Sequence, residues 1–117
     1  MNPAPIKPPI TFAALEAIDI RVGTIRKIEE IPKSDKLLRL TVDFGDHTRT
    51  ILSGMKQERP DPQVLVGVQT LFVVNLKPRR MMGELSQGML LDLGFADGIA
   101  PVLAVPERAV PDGTRAG

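Results

Sequence analysis

The stretch Leu38-Arg39-Leu40-Thr41-Val42-Asp43-Phe44-Gly45-Asp46-His47-Thr48-Arg49-Thr50-Ile51-Leu52-Ser53 decides the fold. Leu38, Leu40, Val42 and Phe44 alternate with Arg39, Thr41 and Asp43. A period of two places the first set on one face of a strand and the second on the other. Gly45-Asp46 then reads as a tight turn, and roughly Thr48 to Ser53 as the returning strand. The reading is an antiparallel hairpin with one buried face.

The strand pattern extends upstream. Ile18, Ile20 and Val22 alternate, Gly23 marks a bend or bulge, and Ile25 and Ile28 continue out of strict register. Pro32-Lys33-Ser34-Asp35 reads as a turn. Before the first strand, Thr11 is a candidate N-cap, and Phe12 and Leu15 form an apolar stripe, so a short helix is expected. Pro3, Pro5, Pro8 and Pro9 remove backbone donors and fix φ. Residues 1–9 are therefore expected to form a proline-rich arm, and residues 10–117 a single domain.

Downstream, Asp61-Pro62 places a capping carboxylate before a proline at the first helical position, and Gly67 ends that short helix. Val68 to Leu76 is apolar on both faces and reads as a deep strand. Lys77-Pro78-Arg79-Arg80 reads as a basic loop, Met89 to Leu93 as a further strand, and Ile99 to Val105, interrupted by Pro101, as an edge strand. Pro106 to Gly117 is turn-rich. The expected class is all-β: a five-stranded oligonucleotide/oligosaccharide-binding barrel with a short helix between strands 3 and 4, an N-terminal helix and a C-terminal β extension.

Composition narrows the chemistry. The 117 residues are 43% hydrophobic and 25% charged, with a formal net charge of +1. Cysteine is absent and His47 is the only histidine, so no disulfide, thiolate metal site or cysteine nucleophile is expected, and no metal or other cofactor. No apolar run of about 18 residues is present for a membrane span, and the N-terminus has no apolar signal region, which points to the cytoplasm. Gly83-Glu84-Leu85-Ser86 has the wrong spacing for a nucleophile elbow, and no phosphate-cradling glycine loop with Lys-Ser/Thr occurs. No carboxylate pair stands out for acid–base work, so catalysis is not expected.

Binding is better supported. Residues 1–80 carry 13 basic and 9 acidic side chains, and residues 81–117 carry 2 and 5. Such asymmetry favours a polyanion on one side of a molecule. Lys33 and Lys36 flank a turn, Arg39 lies on the polar face of the next strand, and Arg79 and Arg80 follow the deepest strand. In a small barrel these loops can approach, gathering Lys36, Arg79 and Arg80 into a positive rim. The chain has no Trp, no Tyr and only 4 Phe, few rings for stacking bases. Backbone charges, polar groups such as Asn75, Ser86 and Gln87, and apolar contacts such as Met89 would then hold a shaped RNA.

Several motifs, in order, resemble the tRNA-binding domain family. They are Asp19-Ile20-Arg21-Val22-Gly23-Thr24-Ile25, Ser34-Asp35-Lys36-Leu37-Leu38-Arg39-Leu40, Ser53-Gly54-Met55, Asn75-Leu76-Lys77-Pro78-Arg79-Arg80-Met81 and Ser86-Gln87-Gly88-Met89. The family includes the C-terminal domain of bacterial methionyl-tRNA synthetase, stand-alone tRNA-binding proteins and the secretion-chaperone-like CsaA branch. The resemblance implies a barrel that binds tRNA by shape without catalysis, usually as a homodimer. It implies a contact set of Lys36, Arg79, Arg80, Ser86 and Met89, with Lys33 at a position where relatives often carry a polar residue. It leaves a second reading, an export chaperone that binds unfolded precursor polypeptides, and a third, docking to an aminoacyl-tRNA synthetase. The C-terminal segment, apolar and mildly acidic, is the expected dimer contact. Lys56-Gln57-Glu58-Arg59 lacks the aromatic residue relatives often show there, and Asp92 stands where small residues are common.

Overall fold

The computed structural model describes residues 1–117. After an arm without helix or strand, α1 spans Phe12–Glu16, and the Thr11 hydroxyl accepts the Ala14 N–H as its N-cap. The strands are β1 (Ile20–Glu30), β2 (Leu38–Asp43), β3 (Thr48–Ser53), β4 (Gln69–Val73), β5 (Arg79–Met81), β6 (Glu84–Ser86), β7 (Met89–Leu90), β8 (Asp92–Leu93) and β9 (Val102–Leu103). The main sheet is antiparallel in the order β3-β2-β1-β4-β7 and curls into a barrel of the expected class. The β8–β9 pair is the C-terminal extension.

The β2–β3 hairpin forms as its alternation dictates. Leu38, Leu40, Val42 and Phe44 are buried, and Leu38 pairs with Ser53 through to Asp43 with Thr48. Gly45 supplies the positive φ of the turn, at 97°. The register shift of β1 falls between Ile25 and Lys27, a bulge at Arg26. The extra residue turns the strand, so that Ile25 and Ile28, three apart, both face the core. One long, bent strand thereby pairs with β4 through Ile20–Thr24 and with β2 through Thr24–Glu30.

Three local readings are sharpened. The segment between β3 and β4 holds two 3-10 turns, Lys56–Glu58 and Pro62–Leu65; the second is capped by the Asp61 carboxylate on the Gln63 N–H. The strand expected over Val68 to Leu76 ends at Val73, and Leu76 is exposed. The basic loop is half of a hairpin: Arg79–Met81 pairs with Glu84–Ser86. Its turn uses Met82 at φ 52° and Gly83 at φ 78°.

The core is one cluster that includes Ile25, Leu38, Leu40, Val42, Ile51 and Phe72. Each such side chain stabilises the fold by roughly 1.5–3 kcal/mol on burial. Phe44 meets Phe72 edge-to-face at 5.5 Å. The turn-rich tail fits beside the first half of β1: Val22 N–H donates to Thr114 O, and Gly113 N–H to Val22 O.

Gly23 has no positive φ; its role is space. A Cβ there would stand 2.6 Å from Val42 Cγ1 and 2.8 Å from Phe44 Cε1. Gly23→Ala should destabilise the domain by about 1–3 kcal/mol through overpacking, read as a lower urea midpoint. An unchanged midpoint would show that Val42 and Phe44 can yield.

Candidate functional site

The barrel closes along a seam between β3 and the end of β6 with the residues that follow it. Leu52 N–H donates to Ser86 Oγ at 3.0 Å, and Ser86 Oγ–H donates to Gly88 O at 3.0 Å. Gln87 completes the seam in both directions: its N–H donates to Thr50 O at 2.8 Å, and its Oε1 accepts Thr50 N–H at 2.9 Å. Gly88 must be small here, because a Cβ would meet Val73 O at 2.8 Å. Arg49 clamps the far end, donating to Val74 O at 2.6 Å and Gln87 O at 3.1 Å.

Three depressions run continuously beside this seam. The first, of about 640 Å³, is lined by Lys33 and Lys36 from the β1–β2 loop, with Gly54, Met82 and Phe95. The second, of about 320 Å³, shares Gly54 and Phe95 with the first and adds Leu52, Met89 and Asp92. The third, of about 350 Å³, shares Leu52 and Met89 with the second and adds Lys77, Arg79 and Met81. Together they make one trough with an apolar middle.

The sequence-derived residues sort themselves along it. Lys33 and Lys36 line the first depression and Arg79 the third, which share no lining residue, so they do not form one rim. Arg80 is exposed on the same hairpin as Arg79. Met89 is 47% exposed between the second and third depressions. Ser86 is buried, and its hydroxyl both accepts and donates inside the barrel. Arg39 is bonded to Glu29 and Glu84, tying β2 to the β5–β6 hairpin. Donating to the Glu84 and Glu29 carboxylates raises the Arg39 pKa, and Arg39 in turn holds the Glu29 carboxyl below its ordinary value.

The turn before β2 owes its shape to Ser34, whose buried hydroxyl accepts Leu37 N–H at 3.0 Å. Lys33 precedes it at φ 69° and is exposed. Lys33, Lys36, Lys77, Arg79 and Arg80 are exposed, and none is within ion-pair distance of a carboxylate. Arg21, Arg26, Lys27, Arg39, Lys56, Arg108 and Arg115 are each paired.

A separate depression of about 420 Å³ lies at the Arg49 end, lined by charged groups that include Asp19, Arg21, Asp46 and His47. Its charges satisfy one another. Arg21 holds both oxygens of Asp19 and depresses its pKa; His47 does the same for Asp46 through a 2.6 Å contact. His47 is more than the solvated turn residue its position suggests. It stacks on Phe44 at 5.6 Å, and its Nε2 accepts from Arg49 at 3.0 Å. No three His, Cys, Asp or Glu side chains converge as a metal site would require, and no helix is long and apolar enough to cross a membrane. The β5–β6 hairpin escaped the sequence; Phe95, which after Gly94 could be read as exposed or as packed in a core or dimer contact, is an exposed residue lining the trough. The Gly94 and Gly98 that bracket Phe95 were the available cue.

A half-open barrel with a trough along its closing seam is a ligand-binding scaffold. Residues 20–115 match the family described as "Putative tRNA binding domain", and the chain belongs to that family. It is 43% identical over 110 residues to the methionine–tRNA ligase of Bacteroides fragilis, an alignment covering 94% of this chain and 16% of that protein's length. Its structure is similar to that of a MetRS-related protein from Pyrococcus horikoshii, with a TM-score of 0.86, 36% identity, and 95% and 100% of the two chains covered. It is similar also to the chaperone CsaA from Bacillus anthracis, with a TM-score of 0.80, 28% identity, and 94% and 100% covered.

Replacing Ser86 by alanine leaves the Leu52 N–H and Gly88 carbonyl without their partner. Ser86→Ala should cost about 1–3 kcal/mol in urea unfolding and speed hydrogen exchange at the Leu52 amide. Unchanged exchange at Leu52 would mean that the hydroxyl does not hold the seam.

Proposed function

We propose that this protein is a non-catalytic tRNA-binding module that holds the folded RNA along the trough, acts in the cytoplasm and works as a homodimer. The observation that carries the reading is the sorting of its charges. Seven of the other ten cations are paired with carboxylates, Arg49 and Arg59 donate to backbone carbonyls and Lys7 lies on the N-terminal arm, whereas Lys33, Lys36, Lys77, Arg79 and Arg80 have no carboxylate partner. A cation without a carboxylate can exchange its counterion for a phosphate, the main source of affinity for nucleic acid. Spread along the trough and on the hairpin beside it, these groups match a run of RNA backbone better than a single anion. Arginine offers a planar fork to phosphate, and lysine a point charge.

The remaining candidate residues take distinct roles in this proposal. Met89 offers apolar surface to a sugar or base. Ser86 and Arg39 act one step back: the first anchors the segment carrying Met89, the second the hairpin carrying Arg79 and Arg80. Lys36→Ala and Arg79→Ala should each weaken tRNA binding, together on the order of tenfold at low salt, and each should lower the salt slope of log affinity by about one unit. A tRNA titration across a salt series reads both. Unchanged affinity and slope in the double variant would remove the trough from the account.

The dimer is proposed on exposed apolar surface in the C-terminal segment: Leu93, Ile99, Val102 and Val105 are 51%, 44%, 53% and 57% exposed. Phe12 and Leu15 on α1 add a second apolar surface, at 80% and 52%. Two copies would present two troughs to one RNA and raise avidity. Light scattering at micromolar concentration should give twice the 12.7 kDa chain mass; a monomer would overturn the dimer. An aminoacyl-tRNA synthetase is a further candidate partner, since the ligase relative carries this domain as part of a longer chain. The second reading, a CsaA-like export chaperone for unfolded precursor polypeptides, is favoured by the likeness to CsaA and by the apolar middle of the trough. It predicts polypeptide binding that salt barely affects.

A further inference from the structure

We infer that Phe95 is a stacking platform for one unpaired base of the bound tRNA, placed where the phosphates on either side reach the free cations. The inference rests on the tRNA-binding reading and adds to it a residue and a contact type.

Three observations carry it. Phe95 is 76% exposed, yet its ring lines both the first and the second depressions, at their junction. The chain's other rings are unsuited: Phe44 and Phe72 are buried in the core, and Phe12 lies on α1, away from the trough. Second, Phe95 stands on a rigid support. Gly94 O accepts N–H bonds from both Asp97 and Ile99, and Phe95 O accepts from Gly98. Gly94 is at φ 104°, and a Cβ there would meet Ile99 Cγ1 at 2.3 Å, so only glycine allows this turn to close beneath the ring. The Asp97 carboxylate also accepts the Ala4 N–H at 2.6 Å, so the turn's acid is turned toward the N-terminal arm. Third, the ring has Lys33 and Lys36 in the depression on one side, and Lys77 and Arg79 beyond Met89 on the other. Asp35, Glu58 and Asp92 also line this stretch. They disfavour continuous phosphate along the floor and suit a backbone that passes over it while one base turns in.

Ring–base stacking tolerates any base and is lost when the ring is lost. It requires a base already out of its helix, and the loops of a folded tRNA supply such bases.

The test uses the full chain and unmodified tRNA, in three variants. The exposed position should leave folding intact, which a thermal melt checks. Phe95→Ala and Phe95→Leu should each weaken tRNA binding on the order of tenfold, because leucine keeps apolar bulk but has no ring. Phe95→Trp should bind as the parent does. Since the chain has no Trp or Tyr, that variant also provides a single emitter, and tRNA should quench it saturably. The slope of log affinity against log salt should stay unchanged in all three, as no phosphate contact is removed. Parental affinity in Phe95→Ala, or leucine replacing phenylalanine without loss, would overturn the stacking contact while leaving tRNA binding in place. A change of molecular mass in Phe95→Ala by light scattering would reassign the ring to a subunit contact. If the parent chain binds no tRNA, both this inference and the reading beneath it fall.

Discussion

The seam between β3 and Ser86-Gln87 is the constraint on which the rest depends. A curled sheet with a free β3 edge would leave the outward N–H groups of Leu52 and Thr50 unpaired, an open template for another strand. Here they are taken by the Ser86 hydroxyl and the Gln87 amide. Side chains replace part of a strand ladder. Closure in this form lets the chain turn at once into β7, and it fixes Met89 beside Leu52. It also holds the root of the β5–β6 hairpin, whose far strand carries Arg79 and Arg80. The Arg39–Glu84 pair secures the same hairpin from β2.

Seam and charge arrangement are linked. Where the sheet is regular, carboxylates and guanidinium groups face each other across strands and turns: Asp19 with Arg21, Glu29 with Arg39, Asp43 with Arg26. Those pairs are partly exposed and contribute modestly to stability, but they remove their cations from competition for an anion. The loop before β2 has no facing strand, and in the β5–β6 hairpin the one facing carboxylate, Glu84, is taken by Arg39. The cations they carry stay free, and they border the trough.

Much of the barrel was legible because local rules there coincide with tertiary demands. Strict alternation in Leu38 to Phe44 leaves one register possible. The bulge expected at Gly23 falls instead at Arg26, within the slip between Ile25 and Ile28, while Thr11 and Asp61 announced their caps. The β5–β6 hairpin was not legible. Its strands have three residues each, and its turn places Met82 in the left-handed region, where Asn or Asp is the usual cue. The seam was hidden for a different reason: side-chain-to-backbone bonds between distant residues leave no periodicity. For the site, the residue types Lys36, Arg79 and Arg80 could be picked out, but their separation into two ends of a trough could not. The apolar stripe on α1 reads as a packing face, yet it stays exposed in the single chain, where no element lies against it.

We propose that tRNA lies in the trough beside the seam, not in the self-paired polar depression around Arg21 and His47. Amide chemical-shift mapping of the full chain during a tRNA titration tests it most directly. The largest changes are expected at Lys36, Gly54, Arg79, Met89 and Phe95, with His47, Arg49 and Asp112 nearly still. Changes centred on His47, Arg49 and Asp112, with a quiet trough, would contradict it.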